Sequence, residues 1–141
     1  MKGRNFRAGD VISYPYLWKR EQAGGESEGR KIRPVCVIVA LTSSADGSTH
    51  LALLAISGSP PSAAGRALEI PEMECRRAGL REWKKAWIII NEYNYDVVER
   101  SYYLDSRDEP MGRFGKAFMM KLATAIAPMF AVRQGRVQRI N

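Results

Sequence analysis

An arginine locked against a proline is the first pair in this chain that can do chemistry. Arg33-Pro34 heads the run Val-Cys-Val-Ile-Val-Ala-Leu (35–41), behind two further cations, Arg30 and Lys31. Proline holds the residue before it in an extended backbone, and it is tolerated as the first residue of a strand. A guanidinium fixed this way at the mouth of an apolar strand suits a phosphate group, because its planar fork donates to two oxygens at once. Arg30 and Lys31 would bind the backbone of the same polyanion. Tyr16 and Trp18 can stack unpaired bases beside such a groove; the competing reading is core packing, which is the one adopted for Tyr14. Glu92 and Asn94 either read base edges at a rim or cap a strand end. The single histidine, His50, sits beside a hairpin turn and reads as exposed and idle. The basic set Arg76, Arg77, Arg81, Lys84 and Lys85 reads as a solvated face that could extend a footprint for RNA or an acidic protein.

The totals narrow the class of protein. At 141 residues the chain reads as one domain (1–141), large enough for a real core. A net charge of +7 and a pI near 9.7 favour a polyanionic partner. Two cysteines, Cys36 and Cys75, make neither a disulfide framework nor a metal pair, and one histidine excludes a His-rich cluster. There is no run of about 18 apolar residues and no apolar leader core at the N-terminus, so a soluble, cytoplasmic protein with no membrane contact is expected.

The elements that must position these residues can be read in order. Gly9-Asp10 is a turn, and Val11–Trp18 alternates as a strand, edge or bulged because of Pro15. Lys19–Arg30, with its glycines, reads as a flexible polar loop. Arg33–Leu41 is a strand buried on both faces. Asp46-Gly47 is a hairpin turn returning into His50–Ser57. Arg66–Ile70 is a short strand, and Pro71 starts a short helix near 72–79 with Gly79 just past its end. Ala86–Tyr93 is a fifth strand, with a weaker extended piece at Tyr102–Leu104. Phe118, Leu122, Ile126 and Phe130 recur at helical spacing, giving a helix near 115–131 that Pro128 kinks or ends. Arg133, Arg136 and Arg139 follow it as a basic tail, expected to sit favourably near the helix C-terminus. The order implies a mainly β domain, a small closed antiparallel barrel of five to six strands with a C-terminal helix.

Several of these pieces recur together in one known family. Gly9-Asp10-Val11-Ile12, Ser27-Glu28, Arg33-Pro34-Val35-Cys36-Val37-Ile38, Ala55-Ile56-Ser57 and Ile88-Ile89-Ile90-Asn91-Glu92 occur in an order that resembles the MazF/PemK type of plasmid-maintenance and growth-inhibitor toxins. The resemblance implies an SH3-like barrel of the CcdB/MazF type, usually a homodimer, acting as a ribosome-independent endoribonuclease on messenger RNA and neutralised by a cognate acidic antitoxin. It implies roles for Arg33 and for a hydroxyl at Ser57, with the loop carrying Ser27-Glu28 gating the RNA groove and Glu28 as the best-placed general base. Cleavage would use the substrate's own 2′-hydroxyl and neither metal nor cofactor. In this chain Ser57 stands where threonine is common, and Tyr93-Asn94-Tyr95 where many members carry glutamine and a nearby basic residue. The rival class is a non-catalytic module, either binding nucleic acid or meeting gyrase as CcdB relatives do; the ending Val137-Gln138-Arg139-Ile140-Asn141 lacks the Trp-Gly-Ile of the gyrase poisons.

Overall fold

A computed structural model describes residues 6–25, 31–61, 66–80, 83–104, 109–132 and 135–139. Its strands are β1 (Asp10–Tyr14), β2 (Arg33–Thr42), β3 (Thr49–Ser57), β4 (Ala67–Ile70), β5 (Ala86–Ile89), β6 (Tyr93–Val97), β7 (Gly112–Arg113) and β8 (Arg136–Gln138). Its helices are α1 (Lys19–Ala23), α2 (Glu72–Arg77) and α3 (Lys116–Ala131), with a 3-10 turn at Val98–Arg100. The strands form one strongly curled half-barrel sheet with α3 packed on it. Its order is β4-β5-β3-β2-β1-β7, with β6 beside β3 and β8 beside β6.

The mainly β architecture with a C-terminal helix is as expected; the closed five- to six-stranded barrel is not. Among the described residues there are eight strands, the sheet stays open, and β6 pairs with β8 in parallel while the other ladders are antiparallel. The expected strand Ala86–Tyr93 is two. β5 pairs with the end of β3 at Ile56 and Ser57, and β6 pairs with its beginning, His50 to Leu53. The Asn91-Glu92 corner separates them. Tyr102–Leu104 is not a strand, and β1 stops at Tyr14 because Pro15 has no N–H for the ladder.

β2 carries the core, since its neighbours cover both faces. Cys36 and Ile38 join the layer under α3, while Val35 and Val37 join a second layer with Tyr14, Tyr16, Leu51 and Leu53. A bulge between Val37 and Val39 shifts the β2–β3 register by one, so Val39 falls opposite Ala52 on the α3 side. Helix α3 buries Phe118, Leu122, Ile126 and Met129; the last place goes to Met129 where Phe130 was expected. Each such side chain contributes about 1.5–3 kcal/mol of burial. Pro128 lies in the final turn, and the helix continues to Ala131 before ending. The basic tail is no helix cap: Arg136 is in β8, Arg139 is buried, and Arg133 lies outside the described residues.

Candidate nucleic-acid interface

Arg33 opens β2 opposite Tyr14 of β1. Beyond Tyr14 the chain leaves the sheet, runs extended through Pro15–Trp18, and turns into α1. This returning segment forms a wall over Arg33. The guanidinium carbon of Arg33 stands 5.1 Å from the centre of the Trp18 ring, and that of Arg20 stands 5.0 Å from it. The result is a hollow of about 200 Å³ lined by Tyr16, Trp18, Arg20, Glu21, Lys31 and Arg33. Its charge is three cations against one carboxylate.

Arg33 is half-buried, and its Nε is enclosed with no hydrogen-bond partner. Burial lowers its pKa from the ordinary value, and the Glu21 carboxylate pulls it back up. An arginine starts so high that it remains a cation. Among the described residues no carboxylate closes on it as an ion pair.

The wall is held by the residues expected at the rim. Asn94 is 0% exposed and receives the Leu17 N–H on its Oδ1 (2.9 Å) while its Nδ2 donates to the Leu17 carbonyl (2.7 Å). It thus satisfies both backbone groups of Leu17 as a neighbouring strand would. Arg139 reinforces it, donating to Asn94 Oδ1 (2.9 Å) and to the Pro15 carbonyl (2.7 Å). Glu92 Oε1 accepts from the Tyr16 hydroxyl (3.1 Å) and the Lys19 N–H (2.9 Å). At the start of α1, Glu21 Oε1 accepts the Trp18 N–H (3.0 Å).

Several expectations change accordingly. Asn94 cannot meet a base edge, since it is enclosed and both ends of its amide are engaged. Glu92 faces the 16–19 segment and positions it. Tyr16 is 1% exposed with its hydroxyl bonded to Glu92, so it is core and offers no stacking face. Trp18 and Lys31 do reach the hollow. Trp18, though, meets the two guanidinium groups.

Ser57 stays outside the hollow. Val35 pairs with Ala55, so Arg33 and Ser57 are the next residues outward on the same face. The Ser57 hydroxyl nevertheless donates to the Ser59 carbonyl (2.9 Å) and accepts the Ser59 N–H (3.1 Å), closing a tight turn. Ser27, Glu28 and Arg30 lie outside the described residues, as does Arg81. Of the remaining basic set, Arg76 pairs with Glu72 and Arg77 with Glu74 on α2. Both cysteines are buried, and burial pushes both thiols up. Among the described residues no group of His, Cys, Asp and Glu side chains could hold a metal ion, and no helix is long and apolar enough to cross a membrane.

Sequence reasoning missed Arg20 and Glu21, which lie in a segment with no apolar periodicity. The one available signal was Glu21 three residues after Trp18, the spacing at which a side chain caps a helix start. Comparison with protein-family models, with curated proteins and with solved structures finds no match for this chain.

Proposed function

We propose that this chain is an endoribonuclease of the toxin type, acting on single-stranded RNA with Arg33 receiving the scissile phosphate. The supporting observation is the state of that residue. It is a half-buried guanidinium on a cationic hollow, held by an aromatic ring and by no carboxylate among the described residues. A phosphate oxygen supplies the hydrogen bonds that such an arginine lacks. In the proposed reaction the ribose 2′-oxygen attacks the adjacent phosphorus and loses its proton to a base. The 5′-oxygen departs and takes up a proton from solvent, leaving a 2′,3′-cyclic phosphate. Charge accumulates on the non-bridging oxygens, where Arg33, with Arg20 and Lys31 nearby, opposes it. Glu21 is the carboxylate on the hollow and the candidate base among the described residues. The excess of positive charge fits an acidic partner protein as inhibitor.

A second reading, RNA binding without cleavage, is favoured by Ser57, whose hydroxyl is engaged by Ser59 on both sides. Incubating a labelled unstructured RNA and its all-2′-deoxy copy with the purified chain separates the two. The nuclease reading expects cyclic-phosphate ends from the RNA, an uncut deoxy strand, and a loss of about a hundredfold or more in Arg33→Ala. Intact RNA that is nonetheless bound leaves the binding module; intact and unbound RNA removes both.

A further inference from the structure

The far end of the sheet carries a second hollow that the RNA reading does not use. Arg33 and Leu41 lie eight positions apart on β2, about 26 Å at strand spacing. The bulge has by then moved its side chains to the α3 face. There a cavity of about 200 Å³ opens between the sheet and the end of α3. Its walls are apolar, formed by Val39, Leu41, Ala52 and Phe130. Its polar groups gather on β3, β6 and β8 as His50, Tyr93, Tyr95 and Arg136.

These polar groups are ordered in one direction. Ser48, itself buried, donates its hydroxyl proton to Asp46 Oδ1 (2.6 Å). Hydrogen bonds from the Ser48 side chain and backbone hold the Asp46 carboxyl down to about 2, so it remains an acceptor. With its proton committed, Ser48 Oγ accepts from His50 Nε2 (2.9 Å). In the tautomer this sets, His50 Nδ1 accepts a hydrogen bond from the Tyr95 hydroxyl. His50, expected to be idle, instead fixes one hydroxyl of the cavity.

Arg136 supplies the charge. Its guanidinium carbon lies 4.4 Å from the centre of the Tyr95 ring, and its Nε donates to the Tyr93 hydroxyl (3.2 Å). The residue is exposed, and among the described residues it has no carboxylate partner. An apolar cavity with an aromatic-backed guanidinium at its edge, not ion-paired among the described residues, matches a small apolar anion.

We infer that this cavity binds a small monocarboxylate with a single-ring or short aliphatic body, the body against Val39, Ala52 and Phe130 and the carboxylate on Arg136. At about 200 Å³ the cavity is below the usual drug-sized pocket and suits a small ligand. The inference stands apart from the RNA reading, since it uses other residues on the opposite face of the sheet.

The test titrates phenylacetate, and its neutral analogue phenylacetamide, into the full-length ¹⁵N-labelled chain. The expected result is saturable shifts centred on His50, Tyr95 and Arg136, with the amide at least about tenfold weaker, because a charge-assisted bond is lost. Arg136→Gln should weaken phenylacetate by a similar factor while leaving the remaining spectrum, and RNA binding, unchanged. His50→Gln offers a second check, because it should perturb the Tyr95 hydroxyl and phenylacetate binding without touching the guanidinium. Equal binding of acid and amide, shifts centred elsewhere, or no saturation at tens of millimolar would overturn the inference.

Discussion

Arg33 and Arg139 are both withdrawn from water, but they serve different ends. Arg139 is 6% exposed, lies over the rings of Tyr14 and Tyr103, and spends one nitrogen on Asn94 and Pro15. It ties the last strand to the segment that walls the first hollow, whereas Arg33 is kept without such bonds. Asn94→Ala should therefore act at a distance from its own site. Leu17 would lose both backbone partners, costing about 1–3 kcal/mol for each group left buried and unpaired, measurable as a lower denaturant midpoint. RNA affinity should fall with it, as the Trp18 wall loosens; Asn94→Ala with unchanged stability would remove the positioning role. A second prediction concerns alkaline pH. Burial raises the Tyr14 phenol well above its usual range, and Asp96, which accepts its proton at 2.7 Å, raises it further. The folded state thus keeps a proton that the unfolded chain releases near pH 10, so the contribution of this phenol to stability is constant below about pH 10 and is lost above it. Tyr14→Phe should make that fall shallower in denaturation midpoints measured from pH 8 to 11. At this scale the sequence showed Arg33, because proline and an apolar strand announce a fixed cation. It did not show that Asn94 imitates a strand or that Tyr16 turns inward, because both depend on where residues about seventy-five positions apart meet.

Backbone approaches backbone where the end of α2 passes the start of β7. Gly79 has φ of +80°, and a Cβ there would stand 2.3 Å from the Met111 carbonyl oxygen. A Cβ on Gly112 would stand 2.3 Å from the Arg77 carbonyl oxygen. Backbone meets backbone with no flexible group to yield. Gly79→Ala and Gly112→Ala should each destabilise the fold by more than about 1 kcal/mol, read from thermal or denaturant unfolding. Wild-type stability in either variant would show that α2 is free to shift. The glycine at 79 was legible as a helix terminator, but the partner it approaches was not. The same division holds for the strands. β2, β3 and α3 were readable because long apolar runs and helical spacing are local signals. β7 and β8 have two and three residues, too few to carry a period, and the division of β3 between β5 and β6 is a choice of partner rather than a property of either segment. The five-residue α1 lies in the stretch read as a loop, since a helix so short is set by its tertiary setting and not by propensity.

For the molecule as a whole, an open, curled sheet with a core layer on each face leaves a hollow at each end of β2, each with its own arginine. The charge of +7 makes association with any nucleic acid dependent on salt. If Arg20, Lys31 and Arg33 each meet a phosphate, log K against log salt should fall with a slope of about −2 for a single strand. The measurement closest to the central claim is fluorescence anisotropy of an unstructured RNA oligonucleotide, titrated at several salt concentrations with wild type, Arg33→Ala and Arg136→Gln. Arg33→Ala is predicted to bind at least about tenfold more weakly, with a slope shallower by about 0.7, while Arg136→Gln matches wild type. Wild-type affinity and slope in a folded Arg33→Ala protein would contradict the assignment of the hollow to RNA.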